Sequence, residues 1–283
     1  MQDAVKKAID AGITVVAAAG NDGANVINYP ASFEGVISVG ATNSKNELAD
    51  FSTYGPSVDV VAPGHQVYSS VYDPDKQSSF VEMSGTSMSS PVVAGAVSLL
   101  LSKHPNLTPY QVNYILTHTA KDLGDKGYDL KYGYGMIDLE KILSFDPKKI
   151  PADPAVKEAE SLSKAKDLGE FDMIPVSGKI SKLNQTDLYK TKLKKDEYIQ
   201  FTLNGSEKYD LKFDLLFFPD GATKPSKKVE VNEAYEGSLE GTLFKASEAG
   251  SLVIVVKDSY GKFSEEGYSK YNLELNKSMN LLD

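Results

Sequence analysis

Three stretches of the chain, ITVVAAAG at 13–20, VISVGAT at 36–42 and VDVVAP at 58–63, are close to continuously apolar. A strand without period-two alternation is apolar on both faces, so a sheet of such strands needs a covering layer above and below. Helical patterns supply those layers. Residues 1–10 put Ala4, Val5, Ala8 and Ile9 on one face and Lys6, Lys7 and Asp10 on the other. From Pro91 the run PVVAGAVSLLLSKH is apolar with small residues embedded in it. At Thr108 a T-x-x-Q capping box with Pro109 behind it opens a further helix, whose apolar face is Val112, Ile115 and Leu116. This order predicts an α/β layered domain around a largely parallel sheet, closed near residue 145 by YGYGMIDLEKIL. The first strand follows a single short helix, so the expectation is that the chain starts inside a domain whose earlier strands would pair with it.

Past residue 145 the pattern changes. Residues 146–169 carry three prolines and dense charge with almost no large apolar side chain, and read as a linker that is in part helical. Residues 170–283 then switch to period two: DLYKTKL, EYIQFTL, DLKFDLLFF, GTLFKA and SLVIVVKDS are short runs between Gly, Asn, Asp and Ser, which predicts an all-β sandwich. The 30 basic and 39 acidic residues leave a net charge of -9, which argues against a general nucleic-acid binder. No apolar run approaches the roughly 18 residues of a membrane span. The chain has no cysteine, so disulfides and thiolate metal sites are excluded.

Two stretches bear on chemistry. SGTSMSSP at 84–91 gathers hydroxyls just before an apolar helix, where the positive helix end favours developing negative charge. A serine there can attack a carbonyl while its own backbone N–H faces the oxyanion that forms. Capping is the commoner use of such a residue, and Ser90 before Pro91 suits an N-cap. The second stretch is AAAGNDG, where Asn21 ends an apolar strand. Its amide can donate to an oxyanion, a contact worth about 3 kcal/mol of transition-state stabilisation, although N-D-G is also a common turn.

Together AAAGN, Tyr29-Pro30, VISVGAT, VAPG at 61–64, SGTSMSSPVVAGAVSLLLSKHPNLT and YGYGMID resemble the C-terminal half of a subtilisin-like serine protease domain, in that family's order. The resemblance implies a parallel-sheet three-layer fold and serine endopeptidase chemistry that requires no cofactor. It implies Ser87 as the nucleophile, Asn21 and the Ser87 N–H as oxyanion donors, and Thr86 as an auxiliary group there. Ala18, Ala19 and Gly20 would line the pocket for the residue preceding the scissile bond, with Asp22 and Asn28 near its base, where an acid at 22 would favour basic or polar side chains. The carbonyls of Ala31, Phe33 and Val36 match a weak site for structural calcium or sodium. Residues 170–277 resemble the pre-peptidase C-terminal domain that follows the catalytic unit of many secreted bacterial peptidases, through D-x-Y-x-x-x-L at 187–193 and D-L-x-F-D-x-L-x-F-x-P at 210–219. An extracellular or cell-surface location follows from resemblance only.

A serine hydroxyl needs an adjacent base, itself held by a carboxylate. In the family these lie upstream in D-[ST]-G and H-G-T-H motifs, and neither occurs here. His65, His104 and His118 all read as structural. The expectation is therefore an enzyme class with a protein or peptide substrate, but a chain inactive by itself unless an N-terminal half comes from another chain. The alternative is a non-catalytic remnant acting as a surface-binding or substrate-binding module through its β-sandwich.

Overall fold

The computed structural model describes residues 1–72, 74–75, 79–206, 208–232, 239–264 and 269–278, so the last five positions of the expected sandwich lie outside the described residues. The chain divides into two compact units, Met1–Ala152 and Asp153–Asp283.

In the first unit, helix α1 (Gln2–Asp10) leads to a parallel three-stranded sheet of β1 (Val16–Ala18), β2 (Ile37–Thr42) and β3 (Val60–Pro63), in that spatial order. All six residues of β2 are buried. The segment after Tyr134 lies alongside β3, with Val61 N–H donating to Gly135 O at 3.0 Å and Ile137 N–H to Val61 O at 3.1 Å. A hairpin of β4 (Val67–Val71) and β5 (Ser79–Met83), which the sequence pattern does not announce, leads into α2 (Thr86–Lys103). Helices α3 (Pro109–Thr119) and α4 (Leu139–Ser144) complete the unit, followed by a 3-10 turn at Pro147–Lys149. The core joins Ile37, Val39, Val60 and Ala62 of the sheet to Val93, Ala96 and Leu100 of α2 and to Val112, Ile115, Leu116 and Ile142 behind it. Each large aliphatic among them contributes about 1.5–3 kcal/mol by leaving water. The capping box forms as its sequence predicts: Thr108 Oγ1 accepts from Gln111 N–H at 3.3 Å and Gln111 Oε1 accepts from Thr108 N–H at 2.9 Å.

Helix α2 starts earlier than its sequence suggests. Proline favours the first helical position, which points to Ser90 as the cap. Instead Gly85 is the N-cap and Pro91 sits inside the helix. A proline there has no N–H to give the Ser87 carbonyl one turn back.

The second unit begins with α5 (Glu158–Lys164) and β6 (Lys166–Asp167), so residues 146–169 are structured over much of their length. It continues with β7 (Met173–Lys179), β8 (Asp187–Leu193), β9 (Tyr198–Gly205), β10 (Leu211–Pro219), β11 (Lys227–Val231), β12 (Glu240–Lys245), β13 (Gly250–Asp258) and β14 (Lys270–Ser278). One sheet runs β11-β10-β13-β8-β6 and the other β12-β9-β14-β7. Aromatic pairs link them, Phe201 to Phe213 at 5.7 Å and Phe217 to Phe244 at 5.6 Å between ring centroids. So does a polar chain in which Tyr271 Oη donates to Asp187 Oδ2 at 2.5 Å and lies 2.7 Å from Tyr189 Oη. Leu162 of α5 and Ala165, its C-cap, pack against Leu216, Phe218 and Val253.

Candidate active site

The carboxyl end of β1 and the amino end of α2 meet in the first unit. A helix leaves its first backbone N–H groups without intrahelical partners, and no side chain within α2 caps them. Asn21, far away in sequence, does so. Its Oδ1 accepts from Thr86 N–H at 2.8 Å and lies 3.1 Å from Thr86 Oγ1. Thr86 is fully buried and also ties into the neighbouring backbone: Gly20 N–H donates to Thr86 Oγ1 at 3.2 Å, and that hydroxyl lies 3.1 Å from Gly20 O. The auxiliary threonine of the sequence reading is thus a strut between strand and helix.

The strut fixes the Asn21 amide. With Oδ1 held by Thr86, Nδ2 must face away, and an ideal Cβ on Gly85 would lie 3.5 Å from it. Met88 N–H is taken by Gly85 O at 2.9 Å, whereas Ser87 N–H has no partner among the described residues. Ser87 itself is exposed, with Thr86 and Ser89 buried on either side. Two unspent donors, Asn21 Nδ2 and Ser87 N–H, therefore accompany an exposed hydroxyl at the positive end of an 18-residue helix.

Close backbone approach holds this start in place. Gly85 N–H donates to Gly64 O at 2.8 Å, and Ser89 Oγ donates to Ala62 O at 2.9 Å. A Cβ on Gly64 would overlap Ser89 Oγ and come within 2.7 Å of Ala41 Cβ. Ser89 is thereby a buried anchor of the helix start.

Beside Asn21, Ala18 and Gly20 are partly buried and Ala19 is buried. Asn28 Nδ2 donates to Ala19 O at 3.0 Å and to Asp22 Oδ2 at 2.6 Å. Thr53, which sequence reasoning passed over, accepts from Asp22 N–H at 3.1 Å and donates to Asp22 Oδ2 at 2.8 Å. Hydrogen bonds from Asn28 and then Thr53 hold the Asp22 carboxyl below the usual aspartate range. A hydroxyl in FSTYG carries no pattern of its own, so only its placement beside Gly20 reveals it.

The residues of the expected cation site lie in the turns that lead into β2. Phe33 O already accepts Val36 N–H at 3.1 Å, and Ala31 and Val36 are buried. Neutral carbonyls are hard donors that suit calcium or sodium. No group of three or more His, Asp or Glu able to hold a metal occurs among the described residues.

The histidines are engaged elsewhere. His65 stacks on Phe51 at 6.3 Å, His104 ends α2 with Nε2 buried, and His118 stacks on Tyr114 at 3.6 Å with Nδ1 2.8 Å from Tyr114 O. None is hydrogen-bonded to Ser87.

Residues 1–135 match the Subtilase family, Peptidase_S8. Over 144 residues the chain is 46% identical to Subtilisin DY of Bacillus licheniformis, covering 50% of each sequence. Over 161 residues it is 39% identical to the minor extracellular protease Epr of Bacillus subtilis, covering 56% of this chain and 24% of that one. A solved protease from Pseudoalteromonas arctica aligns with a TM-score of 0.48 at 29% identity, covering 50% of this chain and 45% of that one. The chain spans about half the length of Subtilisin DY. The stretch that carries Asn21, Thr86 and Ser87 is thus similar to subtilisins, and it lies within residues 1–135, which match the subtilase family.

Proposed function

We propose that the first unit is the nucleophile-bearing half of a serine endopeptidase that cleaves protein or peptide substrates through an acyl-enzyme. The observation that carries this reading is the pair of unspent donors beside an exposed Ser87. Ser87 Oγ attacks the peptide carbonyl and passes its proton to a base. The carbonyl oxygen, now negative, is held by Asn21 Nδ2 and Ser87 N–H. Collapse releases the amine with that proton, and water then hydrolyses the ester. Thr86 positions Asn21, while Ala18, Ala19 and Gly20 border the recess for the residue before the scissile bond. No step uses a cation; calcium or sodium on the Ala31, Phe33 and Val36 carbonyls would be structural.

The base is not among this chain's histidines, so residues 1–283 alone are expected to leave casein intact and to resist a fluorophosphonate. Casein hydrolysis by the purified chain that a fluorophosphonate blocks would contradict this. A polypeptide bearing the D-[ST]-G and H-G-T-H motifs is the partner the chemistry asks for. Losing the base removes most of the rate, since what then remains comes from the oxyanion donors and binding.

The second unit we read as a pre-peptidase C-terminal-like sandwich, supported by its two linked sheets. The lack of a base beside Ser87 favours a second reading, in which the chain is a binding module acting through that unit. Retention of the chain on a surface or substrate by residues 153–283 alone would support it. An extracellular location rests on the relatives, one of which is named as an extracellular protease.

A further inference from the structure

We propose that the outer face of α2 and the free edge of β1 form one docking surface for a second polypeptide. That polypeptide lays an apolar helix over Gly95 and a strand along Val16–Ala18, and it brings Ser87 its base. The inference rests on the endopeptidase reading and names where the partner in that reading binds.

A helix that is apolar all round belongs in a core, whereas one lying on a surface turns a charged face to water. Helix α2 departs from that rule. Its inner face, with Val93, Ala96, Val97 and Leu100, is buried against the sheet. Its outer face carries Pro91, Val92, Gly95, Ser98, Leu99 and Ser102, all exposed, and the helix holds no charge before Lys103, its last residue. Val92 is 38% and Leu99 49% exposed. Even the serine hydroxyls turn inward: Ser98 Oγ donates to Ala94 O at 2.9 Å and Ser102 Oγ to Leu99 O at 2.7 Å. Above Gly95 the space is open, with nothing within 4 Å of a Cβ placed there. A glycine inside a helix costs stability, and what it permits is close approach: a helix crossing over it can come to about 8 Å between axes.

The edge of the sheet is open in the same way. Ile37 N–H donates to Val15 O and Ala19 N–H to Val39 O, both at 2.9 Å, so the odd-numbered residues of this stretch face β2. The backbone groups of Val16 and Ala18 therefore point away from β2, and no strand pairs with that edge among the described residues. An open edge on an apolar strand is a template for a further strand. The two features adjoin, since α2 packs against β1 as well as β2. Two copies of this chain could cover each other's α2 but would leave Ser87 without a base. A different polypeptide meets both needs. Ser87 lies one turn before Pro91 on the same exposed face, so whatever covers that face reaches its hydroxyl. In Subtilisin DY the 144 matching residues are half of the sequence, which leaves an equal length of polypeptide to do the covering.

The test refolds the full chain together with the part of Subtilisin DY that lies outside those 144 residues, made as a separate polypeptide. Light scattering after size exclusion is expected to show a one-to-one complex, and hydrogen exchange at the Val16 and Ala18 amides to slow at least about tenfold. Gly95→Leu and Leu99→Lys are expected not to lower the urea midpoint of the chain alone, and to weaken the complex about tenfold or more. Absence of a complex, binding indifferent to both variants, or a midpoint of the chain alone lowered by either would overturn the docking surface. So would a chain that is dimeric by itself with the Val16 and Ala18 amides already protected, since a second copy then fills the surface. A complex that forms as described but leaves casein intact keeps the docking surface and counts against the endopeptidase reading. Absence of a complex does not touch that reading, which a covalently joined chimera still tests.

Discussion

Thr86 shows how much one buried hydroxyl can organise. It meets the Gly20 N–H and lies beside Gly20 O and Asn21 Oδ1, so Thr86→Val keeps the shape and strands those groups. The expected loss is about 1–3 kcal/mol, read as a lower urea midpoint at unchanged slope. An unmoved midpoint would remove its role as strut. In the second unit, Asp258 is buried with Oδ2 unpartnered, its Oδ1 accepting from Tyr260 N–H at 2.9 Å and Lys262 N–H at 2.8 Å. Burial, aided by the nearby Asp210 charge and opposed by Lys262, pushes its pKa up to about 7 from 3.8. Between those values the folded state keeps a proton that the unfolded chain has lost, so stability falls as pH rises through this window and stays low above it. Asp258→Asn is therefore expected to gain on the unaltered chain progressively from pH 4 to 7, with a ceiling on the order of 4 kcal/mol. A constant difference across that range, measured by denaturant titration at each pH, would contradict it.

At the scale of elements, legibility followed the range of the interactions. The three apolar runs carry their own period and become β1, β2 and β3, and the capping box around Thr108 is a local signal that forms as expected. The start of α2 is not local. Its first N–H is met by Asn21 from another element, so no residue near Gly85 announces it, while Pro91 points to the wrong turn. For the same reason Ser87 and Asn21 stood out in the sequence, but the fixed direction of the Asn21 amide and the role of Thr53 did not. Helix α5 carries a faint apolar signal, because Leu162 and the Ala165 that caps it pack against the sheet amid dense charge. The glycine of VAPG makes a prediction at this scale. Gly64 lets the exit of β3 touch the start of α2, so Gly64→Ala must push the two apart. A loss of about 1–3 kcal/mol is expected from such overpacking, measured by thermal unfolding, and an unchanged midpoint would mean the contact is slack.

For the whole molecule, the two units have separate cores and separate legibility. The second declared its strands through alternation, but alternation is generic, and what a two-sheet unit binds is not written in it. The first drew a specific reading because few arrangements put a serine, a free N–H and a pinned amide at one helix end. None of its histidines is hydrogen-bonded to Ser87, and Subtilisin DY runs to about twice the matching length. The most direct test is therefore a chimera in which the 144 matching residues of this chain replace their counterpart in Subtilisin DY. Casein hydrolysis that Ser87→Ala abolishes, and that Asn21→Leu lowers by about 10²–10³ in kcat, is the predicted result. A folded chimera that leaves casein intact, or one whose activity survives Ser87→Ala, would contradict the assignment.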